Sequence, residues 1–456
     1  MTDTLDLADT LKELISDRKY ADIRKILDDC QPADIAQLED ELNRNEFTML
    51  FRLLPKEPAA EVFVEMDPDK QKQLIDSFSD AELKEVFDEL YFDDTVDIIE
   101  EMPANVVSRI LKNASPATRK TVNELLKYPE DSAGAVMTTE YVLLKENLTV
   151  DGALQYIRKT ALDKETIYTC YVTDINRHLI GLITAKTLLI SPADARIGDI
   201  MDTNIVSMTT TDDKEEVART LSKYDFLALP VVDGENRLVG IVTVDDAIDV
   251  LSDEAEEDFA KMAAITPTEK PYLKTSVFET WLSRIPWLLL LMVSATFTGM
   301  IITGFESALA AQVALTAFIP MLMDTGGNSG SQASVTIIRG LSLGEIDFAD
   351  ILRVIWKEVR VAVLCGLSLA IVSFGKIMLI DNIILGADVS TTVAIVVCLT
   401  LVVTVLCAKI VGCTLPIFAK KLGLDPAVMA SPFITTIVDA VSLVIYFAMA
   451  SALLNI

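Results

Sequence analysis

Pro320-Met321-Leu322-Met323-Asp324-Thr325-Gly326-Gly327-Asn328-Ser329-Gly330-Ser331-Gln332 lies within the second of five long apolar runs. A proline, three glycines and a series of polar side chains therefore fall where the surrounding composition specifies hydrocarbon. Lipid offers no hydrogen-bond partners to irregular backbone, so this segment is expected to be buried in protein or to line a wet cavity. Small residues also permit close helix packing, and both readings are open at this stage.

The five runs cover roughly 285–305, 309–338, 354–380, 390–418 and 432–453, and each is long enough to cross about 30 Å of hydrocarbon. The last run carries Asp439, with Ser431, Thr435 and Asp439 at i, i+4 and i+8 on one helical stripe. An ionised carboxylate at that depth is costly, so Asp439 is a functional candidate. The alternative is a protonated Asp in an interhelical hydrogen bond. Asp324, Gly326, Gly327, Asn328 and Gln332, with Thr435 and Ser431, complete the candidate pore set. Lys376 is expected to snorkel, and Lys409 to face protein or water.

Charge divides the chain. The 456 residues hold 68 acids and 39 bases, a net of −29, yet mean hydropathy is +0.38. Residues 1–270 hold 57 acids and 29 bases, and residues 271–456 hold 11 and 10. An acidic, water-soluble head is thus joined to a nearly neutral membrane domain. Phosphate binding wants a basic face, so nucleic acid is excluded as a partner. Residues 1–30 lack the apolar core of a secretion signal. Six cysteines without a C-x-x-C, four of them in apolar segments, read as small buried hydrophobes. The single histidine, His178, leaves little room for His-based zinc or Ser–His–Asp chemistry. No nucleophile–base pair appears in the spans, so an enzyme is not expected.

Lys and Arg fix the orientation. Arg284, Arg339, Arg353, Lys357, Arg360, Lys420 and Lys421 flank alternate connections, and 306–308 and 381–389 carry none. The positive-inside rule then puts the N-terminal head in the cytoplasm of a multi-pass inner or plasma-membrane protein, and the C-terminus outside.

Within the head, residues 1–130 read as short helices. Leu83, Val86, Phe87 and Leu90 recur at three- and four-residue spacing. Breaks at Asp67, Ser79 and Phe92, about a dozen residues apart, suggest a superhelical stack. Asp93, Asp94 and Asp97 cluster at one break, either as a solvated face or as a divalent-cation surface. Residues 131–250 contain a duplication: Met137-Thr138-Thr139 returns as Met201-Asp202-Thr203, and Gly181-Leu182-Ile183-Thr184 as Gly240-Ile241-Val242-Thr243. Each copy reads as strand, helix, then two strands around a turn. A connecting helix over 251–275 follows. Asp246, Asp249, Asp253, Glu256 and Glu257 recur at helical steps, with Asp258 beside them, and repel unless solvated or bridged by cations. Oxygen ligands alone suit Mg²⁺ or Ca²⁺. Glu216 and Asp225 complete the candidate sensor carboxylates.

The duplication resembles a tandem pair of CBS domains. That resemblance implies an α+β fold and one site for an adenosine nucleotide such as ATP, because Gly240, Thr243 and Asp246 match the phosphate- and ribose-binding ending. Gly181, Thr184 and Thr187 of the first copy lack its carboxylate. The whole chain closely resembles the MgtE family of magnesium channels or transporters, most specifically at Pro320–Gln332 with Arg339 and at Leu424-Asp425-Pro426 leading to Asp439. The resemblance implies a mixed fold: an α-helical superhelical N-domain (1–130), the CBS pair (131–250), an acidic connecting helix (251–275) and an all-α five-span domain (276–456). It implies a homodimer with a twofold pore, Asp439 as the pore carboxylate and Asn328 as the Gly-Gly-Asn amide. Ser431 stands where the family often has Asn. Mg²⁺ influx gated by cytosolic Mg²⁺ is the expected function. A carrier of Co²⁺ or Mn²⁺, or a membrane-anchored nucleotide sensor, are the competing readings.

Overall fold

The computed structural model describes residues 4–268, 272–429 and 431–454. They form two units, 1–252 and 253–456.

The first unit begins with ten short helices: α1 (Thr4–Ser16), α2 (Tyr20–Leu27), α3 (Pro32–Ala36), α4 (Arg44–Phe51), α5 (Lys56–Val64), α6 (Pro68–Ser77), α7 (Asp80–Phe87), α8 (Phe92–Glu101), α9 (Ala104–Asn113) and α10 (Pro116–Leu125). Polar caps start several of them. Asp67 accepts from the Asp69 amide, with Pro68 in the first turn of α6, and Ser79 and Glu82 form a reciprocal capping box on α7. Each helix is too short to persist alone, so its apolar face must be covered. Phe51, Phe63, Phe78 and Phe87 stack down the middle of the superhelix.

The duplication folds as expected. The first copy runs β1 (Tyr141–Lys145), α11 (Val150–Thr160), β2 (Thr166–Thr173), β3 (Leu179–Thr184) and α12 (Ala185–Ile190); after α13 (Ile197–Ile200), the second runs β4 (Met208–Thr209), α14 (Lys214–Tyr224), β5 (Ala228–Val232) and β6 (Leu238–Thr243). Both sheets have the same order, a parallel pair followed by an antiparallel one. The repeated methionines and glycines have a physical explanation. Met201 lies where a side chain at Gly181 would stand, and Met137 lies where one at Gly240 would stand. Thr138 bridges to Ile241 and Leu182 to Asp202. The segment opening each copy therefore packs on the sheet of the other, which locks the pair together. The head core continues into the second copy through Val217, Leu229, Val242 and Ala247.

The connecting helix α15 spans Val244–Met262, starting and ending earlier than the sequence spacing predicts. The second unit then contains α16 (Val277–Gly304), α17 (Glu306–Ala311), α18 (Ile319–Ser342), α19 (Ile351–Lys376), α20 (Thr391–Lys421) and α21 (Ser431–Leu454). Four of its helical stretches are long and apolar enough to span a membrane, beginning at Val277, Phe348, Thr391 and Pro426. α18 is not among them, because its polar residues lower its hydropathy.

Two expectations need correction here. The run 309–338 is not one helix: the backbone leaves helical geometry at Gln312 and passes through a 3₁₀ turn at Val313–Phe318. α18 starts at Ile319, with Pro320 in the first turn, where its missing N–H costs nothing. Nor is Pro320–Gln332 irregular. It is continuous α-helix, and its glycines face neighbouring helices rather than breaking the chain.

Those glycines set the helix spacing. A Cβ at Gly330 would lie 2.9 Å from Ile434 Cγ2 and 3.2 Å from the Ala408 carbonyl oxygen. A Cβ at Gly412 would overlap the Gly330 carbonyl. α18 and α20 therefore cross backbone to backbone, as small residues allow. Lys409 pairs with Glu358 at 3.6 Å, both buried, and Lys376 pairs with Asp381 at 2.9 Å. Gly412→Ala should destabilise this unit by about 1–3 kcal/mol through overpacking. Gly299→Ala, where nothing stands within 4 Å, should leave it unchanged. Thermal unfolding in detergent compares the two.

Candidate functional site

In the first unit, α8 brings Asp93, Asp94 and Asp97 beside the start of α15. Asp93 is buried, Asp94 half-buried and Asp97 exposed. Phe92 N donates to Glu140 Oε2 at 3.0 Å, which ties the head to the strand entering the first CBS copy. Glu165 N in turn donates to the Glu140 carbonyl at 2.9 Å. The strongest influences on these acids are desolvation followed by other carboxylates. Desolvation, then Asp246 and Asp94, holds Asp93 well above the carboxylate range. Desolvation, then Asp246 and Asp245, pushes Asp94 up to about 7. Desolvation, then Asp94 and Asp246, pushes Glu165 up to about 8. Asp97 moves the same way, also by desolvation and then Asp246, although solvent reaches it. Asp246 is raised by desolvation, partly opposed by the hydroxyl of Thr243, which donates to its Oδ2.

Sequence spacing pointed to Asp93, Asp94, Asp97 and Asp246. It missed Glu140 and Glu165, which come from the loops before β1 and β2 and carry no periodic signal, and the closeness of Asp245 at the start of α15. Glu216, exposed on α14, and Asp225, in left-handed backbone at its end, are not among the charges acting most strongly on the cluster. Asp249 acts on Asp246 from the next turn of α15. Among the described residues no three such side chains already stand at metal-ligand geometry. The cluster is a concentration of negative charge, not a preformed cage.

Further along α15, within the second unit, the acids divide. Asp253 and Glu256 are exposed. Glu257 Oε1 and Asp425 Oδ2 both lie 2.6 Å from Lys261 Nζ, and Ser342 Oγ donates to Asp258 Oδ2 at 3.1 Å. Desolvation lowers the Lys261 pKa, but its hydrogen bonds to Asp425 and Glu257 outweigh that and raise it. Met262 packs beside Ile338 and Ala427. The end of the connecting helix is thus docked on the end of α18 and on the segment leading to α21.

The apolar unit carries a polar seam. On α18, Asp324, Asn328, Gln332 and Thr336 recur at four-residue steps and are exposed or partly so, and Asn328 Nδ2 donates to Asp324 Oδ1 at 3.1 Å. Gly327 admits Thr435 of α21, whose Cγ2 would lie 2.8 Å from a Cβ there. Ser331 Oγ and Thr435 Oγ1 are 3.4 Å apart. One turn on, Asp439 is half-buried, and the charge of Asp324 acts on it. Gly326 packs against Val438 and Ser442. The candidate residues Asp324, Gly326, Gly327, Asn328, Gln332, Thr435 and Asp439 therefore share one α18–α21 surface. The side chain of Ser431 lies outside the described residues. The glycines of this segment pack against neighbouring helices, and Asp324, Asn328 and Gln332 are exposed on the subunit.

A CBS pair under an acidic helical head, joined to an apolar helical unit with this polar seam, defines a membrane-embedded divalent-cation transporter. Family profiles agree: one for divalent cation transporters of the MgtE type matches residues 319–449, one for the MgtE intracellular N domain matches 30–131, and one for CBS domains matches 133–193 and 197–253. The chain belongs to the MgtE family. It is 38% identical to the magnesium transporter MgtE of Thermus thermophilus over 98% of this chain and 99% of the relative, and 34% identical to that of Bacillus subtilis over 97% and 96%. Among solved structures, the cytosolic domain of the Mg²⁺ channel MgtE in complex with ATP is 38% identical, covers 53% of this chain and 99% of its own, and superposes with a TM-score of 0.51. The soluble part of a magnesium transporter is 31% identical, covers 56% and 100%, and superposes at 0.52.

The acidic cluster makes stability depend on pH with a definite sign. Asp94 and Glu165 hold protons up to about 7 and about 8 in the folded head, but lose them near 4 when unfolded. Between those values the folded state binds more protons, so stability falls as pH rises. Without divalent cations, raising the pH from 5 to 8 should loosen the head. Asp94→Asn should blunt that trend. Hydrogen exchange across α8 and α15 measures it.

Proposed function

We propose that this protein is a Mg²⁺ transporter whose acidic head senses Mg²⁺ on the side from which the ion must be limited. The observation that carries the reading is the collection of Asp93, Asp94, Asp97, Glu140, Glu165 and Asp246, dominated by mutual repulsion and desolvation. A hard dication relieves both at once, and oxygen is its preferred ligand. The named MgtE relatives are magnesium transporters.

In this reading two copies associate with the polar surfaces of α18 and α21 facing each other, because lipid is a poor cover for Asp324, Asn328 and Gln332. Asp439, one per subunit, holds Mg²⁺ that retains much of its water, as suits an ion that dehydrates reluctantly. Asn328 and Thr435 supply neutral oxygens on the same seam, and the Ser431 hydroxyl is a further candidate from the sequence. Arg284, Arg339 and Lys420 favour a cytoplasmic head and an external C-terminus. The membrane potential then draws the dication inward with about 4.6 kcal/mol per 100 mV.

At high cytosolic Mg²⁺, ions at α8 and the first turns of α15 stabilise the compact head. The end of α15, held through Lys261, Asp258 and Met262, then keeps the path shut. At low Mg²⁺, repulsion loosens α8 from α15. Tighter binding to the compact state is the only energetic requirement. ATP or another adenosine nucleotide binds the CBS pair near Thr243, by analogy with the ATP-bound relative. Asp246, already bonded to Thr243, would have to serve both ligands.

Mg²⁺ uptake by proteoliposomes tests the reading. Asp439→Ala should abolish uptake, and Co²⁺ and Mn²⁺ should compete less well than Mg²⁺. Asp94→Asn with Asp97→Asn should retain uptake but need several-fold more Mg²⁺ on the head side for shut-off. Unimpaired uptake by Asp439→Ala would end the pore assignment.

A further inference from the structure

Behind Asp439 lies a layer of polar atoms with no partners. Asp439 Oδ1, Thr404 Oγ1 and Ser442 Oγ are buried and unpaired among the described residues. Thr404 and Ser442 are each only 1% exposed, so the subunit itself encloses them and no second chain reaches them. Asp439 and Ser442 are three residues apart on one face of α21. Thr404, on α20, meets the same spot from the other side: a Cβ at Gly326 would lie 2.8 Å from both Ser442 Oγ and Thr404 Cγ2. Ser442 Oγ and the methyl end of the Thr404 side chain thus meet where α18 has no side chain, and the unpaired Asp439 Oδ1 belongs to the residue one turn from Ser442 on α21.

Leaving three buried oxygens unpaired in an apolar unit is costly. Buried water typically answers such groups, accepting and donating to two to four partners. We propose that a water molecule binds between Asp439 Oδ1, Ser442 Oγ and Thr404 Oγ1, and that Ser442 and Thr404 are positioning residues for the ion-binding carboxylate. The water donates to Oδ1 and is held by the two hydroxyls. It fixes the carboxylate plane from inside the subunit, so that Oδ2 is presented to the ion. Gly326 is required because any side chain there fills the space. This inference rests on the proposed role of Asp439 in Mg²⁺ transport.

Two measurements on the full-length protein in lipid nanodiscs and proteoliposomes test it. A high-resolution density map should place a water within hydrogen-bond distance of all three oxygens. Hydroxyls bonded instead to backbone carbonyls, with no water between them, overturn the proposal. In transport, Ser442→Ala and Thr404→Val should each raise the half-saturating external Mg²⁺ about tenfold, the scale of one lost hydrogen bond to a charged group, with maximal flux little changed. Thr404→Ser should restore the wild-type value, which a purely packing role would not do. Unchanged half-saturation in both hydroxyl-removing variants, each verified as folded by thermal unfolding, overturns the positioning role. If the wild type itself carries no Mg²⁺, the transport reading fails, while the density map still decides whether the water is bound.

Discussion

Carboxylates withdrawn from water without a base to neutralise them are the constraint on which both units depend. In the head, α8 is pressed against the start of α15 by a continuous apolar core that includes Val96, Ile99 and Ala247. That burial forces Asp93, Asp94 and Asp246 together. Apolar contact thus holds the acids in an arrangement that electrostatics opposes. The opposition can be removed by protons, which Asp94 and Glu165 keep up to about 7 and about 8, or by dications, which suit oxygen ligands.

The apolar unit meets the same constraint differently. The buried Lys409 and the exposed Lys376 have carboxylate partners, Glu358 and Asp381. Among the described residues Asp439 Oδ1 has none, and the charge acting on it is that of Asp324. Charges that only stabilise are paired inside the subunit. The acid and amides left outward on α18 and α21 are those that an ion or another polar surface must meet. The glycine spacing makes this separation possible: Gly326, Gly327, Gly330 and Gly412 bring α18, α20 and α21 close enough to bury their apolar faces without covering the seam.

Much of this architecture is legible in the sequence because it rests on local rules. Asp67, Ser79 and Ser115 start helices where their side chains can cap them, and the repeated methionine and glycine landmarks fold into two like sheets. Asp439 stands out because charge is rare in an apolar run. What was hidden is non-local. Glu140 and Glu165 reach the acidic cluster only through tertiary packing, and the orphan hydroxyls of Thr404 and Ser442 look like ordinary helix residues until three helices converge. The glycine-rich segment misled for another reason. Glycine weakens an isolated helix, but in a packed one it is the residue that allows contact, so helix propensity argued for a break where packing required continuity.

The connecting helix shows why counting charge is a poor guide to mechanism. Its acids look like one repelling stripe, but they do different work. Asp246, with Asp249 beyond it, sits among other carboxylates, whereas Glu257 is compensated by Lys261, which also holds Asp425, and Asp258 is bonded to Ser342. Removing a dication would therefore relax the beginning of α15 without directly releasing its end. A helix propagates such a change as a rigid rod only while its own hydrogen bonds persist, and α15 is unbroken from Val244 to Met262. The acidic turns and the docked turns are thus parts of one helix. Uncompensated carboxylates therefore gather at one end of that helix, while at the other end Lys261 neutralises Glu257 and Asp425, so charge of one sign does opposite work along its length.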